Sequence, residues 1–78
     1  MFNLQIVSPT AVMFDGEVDF AVFPGSEGQL GILPQHAPLL STLKQGKISL
    51  RQKGSLNSVE IPGGFLEVLK DKVTVLAI

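Results

Sequence analysis

Seventy-eight residues and 8.3 kDa suffice for one small domain. With 45 % apolar and only 17 % charged side chains, the chain is too hydrophobic to remain disordered. Six basic residues against seven acidic ones leave no positive field for nucleic acid, and zero cysteines with one histidine exclude disulfides and thiolate chemistry and argue against a zinc site.

Helices have little room. Prolines at 9, 24, 34, 38 and 62, with eight glycines spread along the chain, interrupt nearly every helix-length window. Strand signals recur instead. Phe2, Leu4 and Ile6 alternate with Asn3 and Gln5, the period-two pattern of a strand with one buried face. This opening stretch lacks the basic n-region and small-residue cleavage site of a signal peptide, so no targeting segment is expected. Asp15-Gly16 is a tight-hairpin signal, since a type I′ turn needs positive φ at both central residues. Val18, Phe20 and Val22 then alternate with Glu17 and Asp19, predicting a strand that buries those three. Pro24-Gly25 fits a type II turn.

The stretch Gly28 to Leu43 is uncharged but broken by Pro34 and Pro38, so it is not expected to span a membrane as a helix. Beyond it, Ile48 and Leu50 alternate with Ser49 and Arg51, and Val59 and Ile61 flank Glu60. Lys53-Gly54-Ser55 and Lys70-Asp71 read as reversals. Val73 to Ile78 is apolar on both faces apart from Thr74, as a strand between two layers would be. Eight or nine short strands at this spacing imply an all-β sandwich or barrel, in one domain over residues 1–78. Ile78 falls in mid-strand, so the chain reads as a domain of something longer or as a naturally short form.

Charge is unevenly placed. Residues 1–43 hold Asp15, Glu17, Asp19 and Glu27 with no base, while 44–53 hold Lys44, Lys47, Arg51 and Lys53 with no acid. Solvated strand faces account for this, and a polar partner surface is the competing reading. The glycine-rich run from Pro24 to Gly31 lacks the Lys-Ser/Thr and following helix of a phosphate loop, and reads as a turn. His36 has Ser26, Ser41 and Glu27 as conceivable partners but no catalytic signature; a structural role or a partner contact suits it better. The uncharged, proline-stiffened segment around it has the composition of an interface core. Lys70-Asp71-Lys72 could be weighed as the lysine hairpin of a lipoyl or biotinyl carrier domain. It lies near the chain's end rather than mid-chain and lacks flanking methionines, which favours a plain polar turn.

The run GSEGQLGILPQHAPLLSTLKQGKI, followed by IPGGFLEV and KVTVLA, closely resembles the epsilon subunit of bacterial F-type ATP synthases. The opening LQIVSPTAVMFDGEVDFAVFPGSEG is similar to that family's start, and the resemblance covers essentially the whole chain. It implies a flattened β-sandwich of two mostly antiparallel five-stranded sheets, about ten short strands in all. It further implies a non-catalytic rotor subunit at the foot of the central stalk. Its partners would be the gamma subunit and the c-subunit ring, with the alpha/beta hexamer reached indirectly, on the cytoplasmic face of a bacterial plasma membrane. Carried over residue by residue, the resemblance assigns gamma contacts to Ser8, His36, Ala37, Pro38, Leu40 and Ser41. It assigns c-ring contacts to Glu27, Gly28, Gln29 and Leu30, with Gln29 standing where some members carry an acid. No cofactor, metal or catalytic residue is expected. The family's C-terminal helical hairpin, which inhibits hydrolysis and in some members binds ATP, is absent from these residues.

Overall fold

A computed structural model describes all 78 residues as nine strands without a helix. They are β1 (Phe2–Val7), β2 (Val12–Val18), β3 (Phe20–Gly25), β4 (Gly28–Ile32), β5 (His36–Leu43), β6 (Gly46–Gln52), β7 (Ser55–Ile61), β8 (Gly64–Lys70) and β9 (Lys72–Ala77). Hydrogen bonding joins them in the order β2-β1-β9-β8-β5-β3-β6-β7, with β4 on the other side of β3. All pairs are antiparallel except β1 with β9, where Leu4 lies beside Val73 and Ile6 beside Val75.

The sheet folds over where Gly25 of β3 meets Leu43 of β5. This gives one layer of β2-β1-β9-β8-β5 against another of β4-β3-β6-β7. Between them lies a core of 16 apolar residues, and no polar or charged side chain is buried with it. Phe2, Leu4, Ile6, Leu66, Val68, Val73 and Val75 face it from the first layer, and Ala21, Phe23, Ile32, Ile48 and Leu50 from the second. At the far end the Gln52 side chain donates to the Glu17 carbonyl (2.9 Å) and the Asp19 N–H to the Arg51 carbonyl (2.8 Å), so the sheet nearly closes on itself.

The alternation of Phe2, Leu4, Ile6 and of Ile48, Leu50 is borne out, as are the reversals at Lys53-Gly54, both with positive φ, and at Lys70-Asp71. The all-β sandwich of eight or nine short strands is likewise borne out, in nine strands, with β5 serving both layers: it pairs with β8 along its length and with β3 at Leu43. Other expectations are corrected. Asp15-Gly16 makes no hairpin and lies inside β2, with Gly16 opposite Leu4. The reversal between β1 and β2 is instead built by Ser8, whose Oγ accepts from the Thr10 and Ala11 N–H groups at 3.3 and 3.1 Å.

Val18, Phe20 and Val22 do not share a buried face. The bend at Asp19 reverses the parity, so Ala21 and Phe23 are buried while Phe20 and Val22 are half-exposed. Pro24-Gly25 closes β3 instead of turning it. The turn is Ser26-Glu27, and the residue with positive φ is Gly28 (131°). Gly25 is needed for space, since a Cβ there would collide with the Gly28 carbonyl oxygen. Finally, β9 is buried on one face only: Leu76 and Ile78 are exposed.

Candidate functional site

Five of the ten residues singled out from the sequence sit on β5. Pro38 cannot donate to a ladder, and the strand accommodates it with one extra residue between His36, opposite Lys70, and Leu39, opposite Val68. Past this bulge the alternation is regular. Leu39 and Leu43 turn toward the core, whereas Leu40 stands outward, 77 % exposed. Strand parity places Ser41 on the opposite face from Leu40. It is half-buried opposite Leu66, with its hydroxyl donating to the Thr42 carbonyl at 3.1 Å.

The pairing registers extend this surface across the whole first layer. Val12 lies opposite Val7, Val7 beside Leu76, Leu76 opposite Phe65, and Phe65 opposite Thr42. Residues directly opposite share a face, so the five form one row running from β2 to β5. Val12, Phe65 and Leu76 are 63 %, 51 % and 41 % exposed. Shallow hollows flank Leu40, one lined by Pro38, Leu39, Glu67, Val68 and Leu69 and the other by Ser41, Thr42, Phe65 and Leu66, with Glu67 directly opposite Leu40. Ser8 follows Val7 in the chain, at the reversal into β2. Val12, Leu76 and Phe65 thus form an exposed apolar band on the outer face of the first layer.

Sequence reading named Leu40 on this face and Ser8 next to Val7, and missed the row of Val7, Val12, Thr42, Phe65 and Leu76 itself. The available signal was the lack of alternation in Val73 to Ile78, where Leu76 faces outward while Val73 and Val75 face the core.

Glu27, Gly28 and Gln29 project from the β3–β4 turn and are exposed. Leu30 differs: it is half-buried and packs against the core, so it anchors the turn from below. The loop is braced laterally against β5. The Thr42 hydroxyl donates to Ser26 Oγ (2.8 Å), the Ser26 N–H to the Thr42 carbonyl (3.0 Å), and the Lys44 N–H to the Pro24 carbonyl (2.9 Å).

The other residues weighed for chemistry have ordinary surroundings. His36 Nδ1 lies 2.7 Å from the Ala37 carbonyl oxygen, and the hydroxyls of Ser26 and Ser41 are engaged with Thr42. No group of three His, Asp or Glu residues is placed to hold a metal. Lys70 and Asp71 form the β8–β9 reversal beside Gln35. Lys47 and Arg51 point outward from β6, and Asp15 and Glu17 outward from β2, as solvated strand faces do.

The family model for the β-sandwich domain of the ATP synthase delta/epsilon chain matches residues 1–78. The chain is 49 % identical over 75 residues to the ATP synthase epsilon chain of Desulforamulus reducens, covering 96 % of this chain and 57 % of that one. It is 45 % identical over 74 residues to the epsilon chain of Leptospira borgpetersenii, covering 95 % and 58 %. It thus spans a little over half the length of these curated relatives. Among solved structures, a chain of the Euglena gracilis mitochondrial ATP synthase superposes with a TM-score of 0.90 at 22 % identity, covering 97 % of this chain and 49 % of that one. One from the central stalk and c-ring of the Tetrahymena thermophila enzyme does so at 0.80 and 18 %, covering 99 % and 63 %. At these identities the likeness is one of fold.

Proposed function

The chain belongs to the β-sandwich family of ATP synthase delta and epsilon chains, and on that footing we propose that it is a non-catalytic rotor element joining the gamma subunit to the ring of c subunits. The apolar row from Val12 to Thr42, with Leu40 beside it, is the docking surface for gamma. The polar turn of Glu27, Gly28 and Gln29 meets the c ring. The observation that carries this reading is the outward face of the first layer: a chain with 17 % charged residues keeps Leu40, Phe65 and Leu76 in the open. The lysine-carrier alternative at Lys70 or Lys72 falls with the family match, which is to ATP synthase over every residue.

The mechanism is mechanical. Rotation of the ring is passed to gamma through a sandwich whose fully apolar core resists shear. The alpha/beta hexamer is reached only through gamma, and the assembly lies on the cytoplasmic face of a bacterial plasma membrane. Coupling belongs to these 78 residues, whereas inhibition of hydrolysis and nucleotide sensing belong to the helical hairpin outside them.

Adding this chain to membrane complexes stripped of their epsilon subunit restores ATP-driven proton pumping. It leaves the hydrolysis rate of the soluble catalytic part unchanged. Failure to restore pumping, or strong inhibition by these residues alone, would contradict the reading.

A further inference from the structure

The two contact regions just described are contiguous. The row that starts at Val12 reaches Thr42, and Thr42 holds Ser26, the first residue of the exposed turn. Beneath that turn Leu30 packs on the core, but its lateral support is narrow. β4 pairs with β3 alone, so the β3–β4 hairpin that carries Glu27 has no strand on its outer side. Its lateral brace is the corner where β3 meets β5. There the Ser26 N–H on the Thr42 carbonyl and the Lys44 N–H on the Pro24 carbonyl, the two bonds that pair Gly25 with Leu43, act together with the Thr42–Ser26 hydroxyl bond. The two backbone bonds leave no side-chain handle. The third link depends on the hydroxyls of Thr42 and Ser26.

We propose that this corner is the joint through which load passes between the ring-facing turn and the gamma-facing sheet, with Thr42 as its positioning residue. The proposal rests on the coupling role given above. Thr42 suits the task because one residue uses its carbonyl and its hydroxyl on the same neighbour, which fixes the turn against rotation as well as translation. The two backbone bonds hold the strands together at the corner, and the hydroxyl bond adds the side-chain restraint on Ser26, the first residue of the turn. In the absence of the hydroxyl link the turn keeps its place but gains freedom to swing, and a swinging contact slips under torque.

The experiment has two stages. Amide hydrogen exchange in the subunit compares the turn (Glu27 to Gln29) with the core strands β1 and β9. Thr42→Val, which keeps shape but removes the donor, speeds exchange in the turn about five-fold, the worth of one hydrogen bond, and leaves the core strands unchanged. Ser26→Ala does the same from the other side. The double variant goes no further than either single one, because both remove the same link, and Thr42→Ser keeps the wild-type rate. In reassembled membranes, protons pumped per ATP hydrolysed fall for Thr42→Val and Ser26→Ala and recover with Thr42→Ser. Unchanged exchange in Thr42→Val and Ser26→Ala overturns the joint, whatever the rotor role. Faster exchange with an undiminished pumping ratio overturns the positioning role while leaving the coupling function intact. Failure of the wild-type chain itself to restore pumping strikes the coupling reading instead.

Discussion

Strands β6 and β8 have nearly the same burial along their seven residues, and their exposed positions differ in kind. Both begin at a glycine and bury the third and fifth residues, Ile48 and Leu50 in one and Leu66 and Val68 in the other. Outward, β6 presents Lys47, Ser49 and Arg51, whereas β8 presents Phe65, Glu67 and Leu69. The inner faces solve one problem, filling a shared core, and so converge. The outer faces differ in chemistry, and under the proposed docking they answer to different surroundings, water for β6 and a partner for β8. An exposed position is therefore informative only through the residue that occupies it.

The comparison breaks first along β8 itself. Leu66 is fully buried and Leu69, three residues on, is half in solvent. Leu66→Ala should lower unfolding free energy by about 2–5 kcal/mol, while Leu69→Ala should change it by no more than about 0.5 kcal/mol. Urea denaturation of the two variants checks this. Equal losses would mean that both faces of β8 are core.

The contrast between the two outer faces is sharpened by adding the same charge to each. Leu40→Asp places a carboxylate in the surface proposed to dock gamma, and burying it unpaired should weaken gamma binding by more than about 2 kcal/mol. Ser49→Asp, on the outward face of β6, should stay within about 0.5 kcal/mol of wild type. Titration of gamma with each folded variant gives the two affinities. Equal effects would remove the distinction between the faces.

Much of this architecture is legible in the sequence, and the exceptions have physical causes. The alternation in β1 and β6 is clean because each strand has one dry face and one wet or polar face. In β9 the alternation disappears, since Leu76 faces outward into the apolar row while Val73 and Val75 face inward. Periodicity cannot tell a strand between two layers from one that awaits a partner. Asp15-Gly16 misled for a different reason. Its turn chemistry is local, but Gly16 lies in mid-strand opposite Leu4, under the Gln52 side chain that reaches over from β6 to the Glu17 carbonyl. Contacts between residues so far apart in sequence leave no trace in a short window. The positive-φ position of the exposed turn was likewise displaced from Gly25 to Gly28, since two adjacent glycine-bearing motifs offered either reading. The contacts proposed on β5 and on the turn come from the family resemblance, with the uncharged, proline-stiffened segment around His36 as the one compositional sign. The row joining them emerges only from the registers of β1, β2, β8 and β9.

The central claim is that one sandwich touches gamma with the outer face of its first layer and the c ring with the β3–β4 turn. These 78 residues contain no cysteine, so single cysteines placed at Leu40, Glu27, Gln29 and Asn57 are the domain's only thiols in the assembled enzyme under mild oxidation. With partner cysteines on gamma and c, the account predicts crosslinks from position 40 to gamma and from positions 27 and 29 to c. It predicts none from position 57, on the outer strand of the second layer. Crosslinking of position 57 to gamma, with position 40 silent, would show that the sandwich docks by its other layer and would contradict the account.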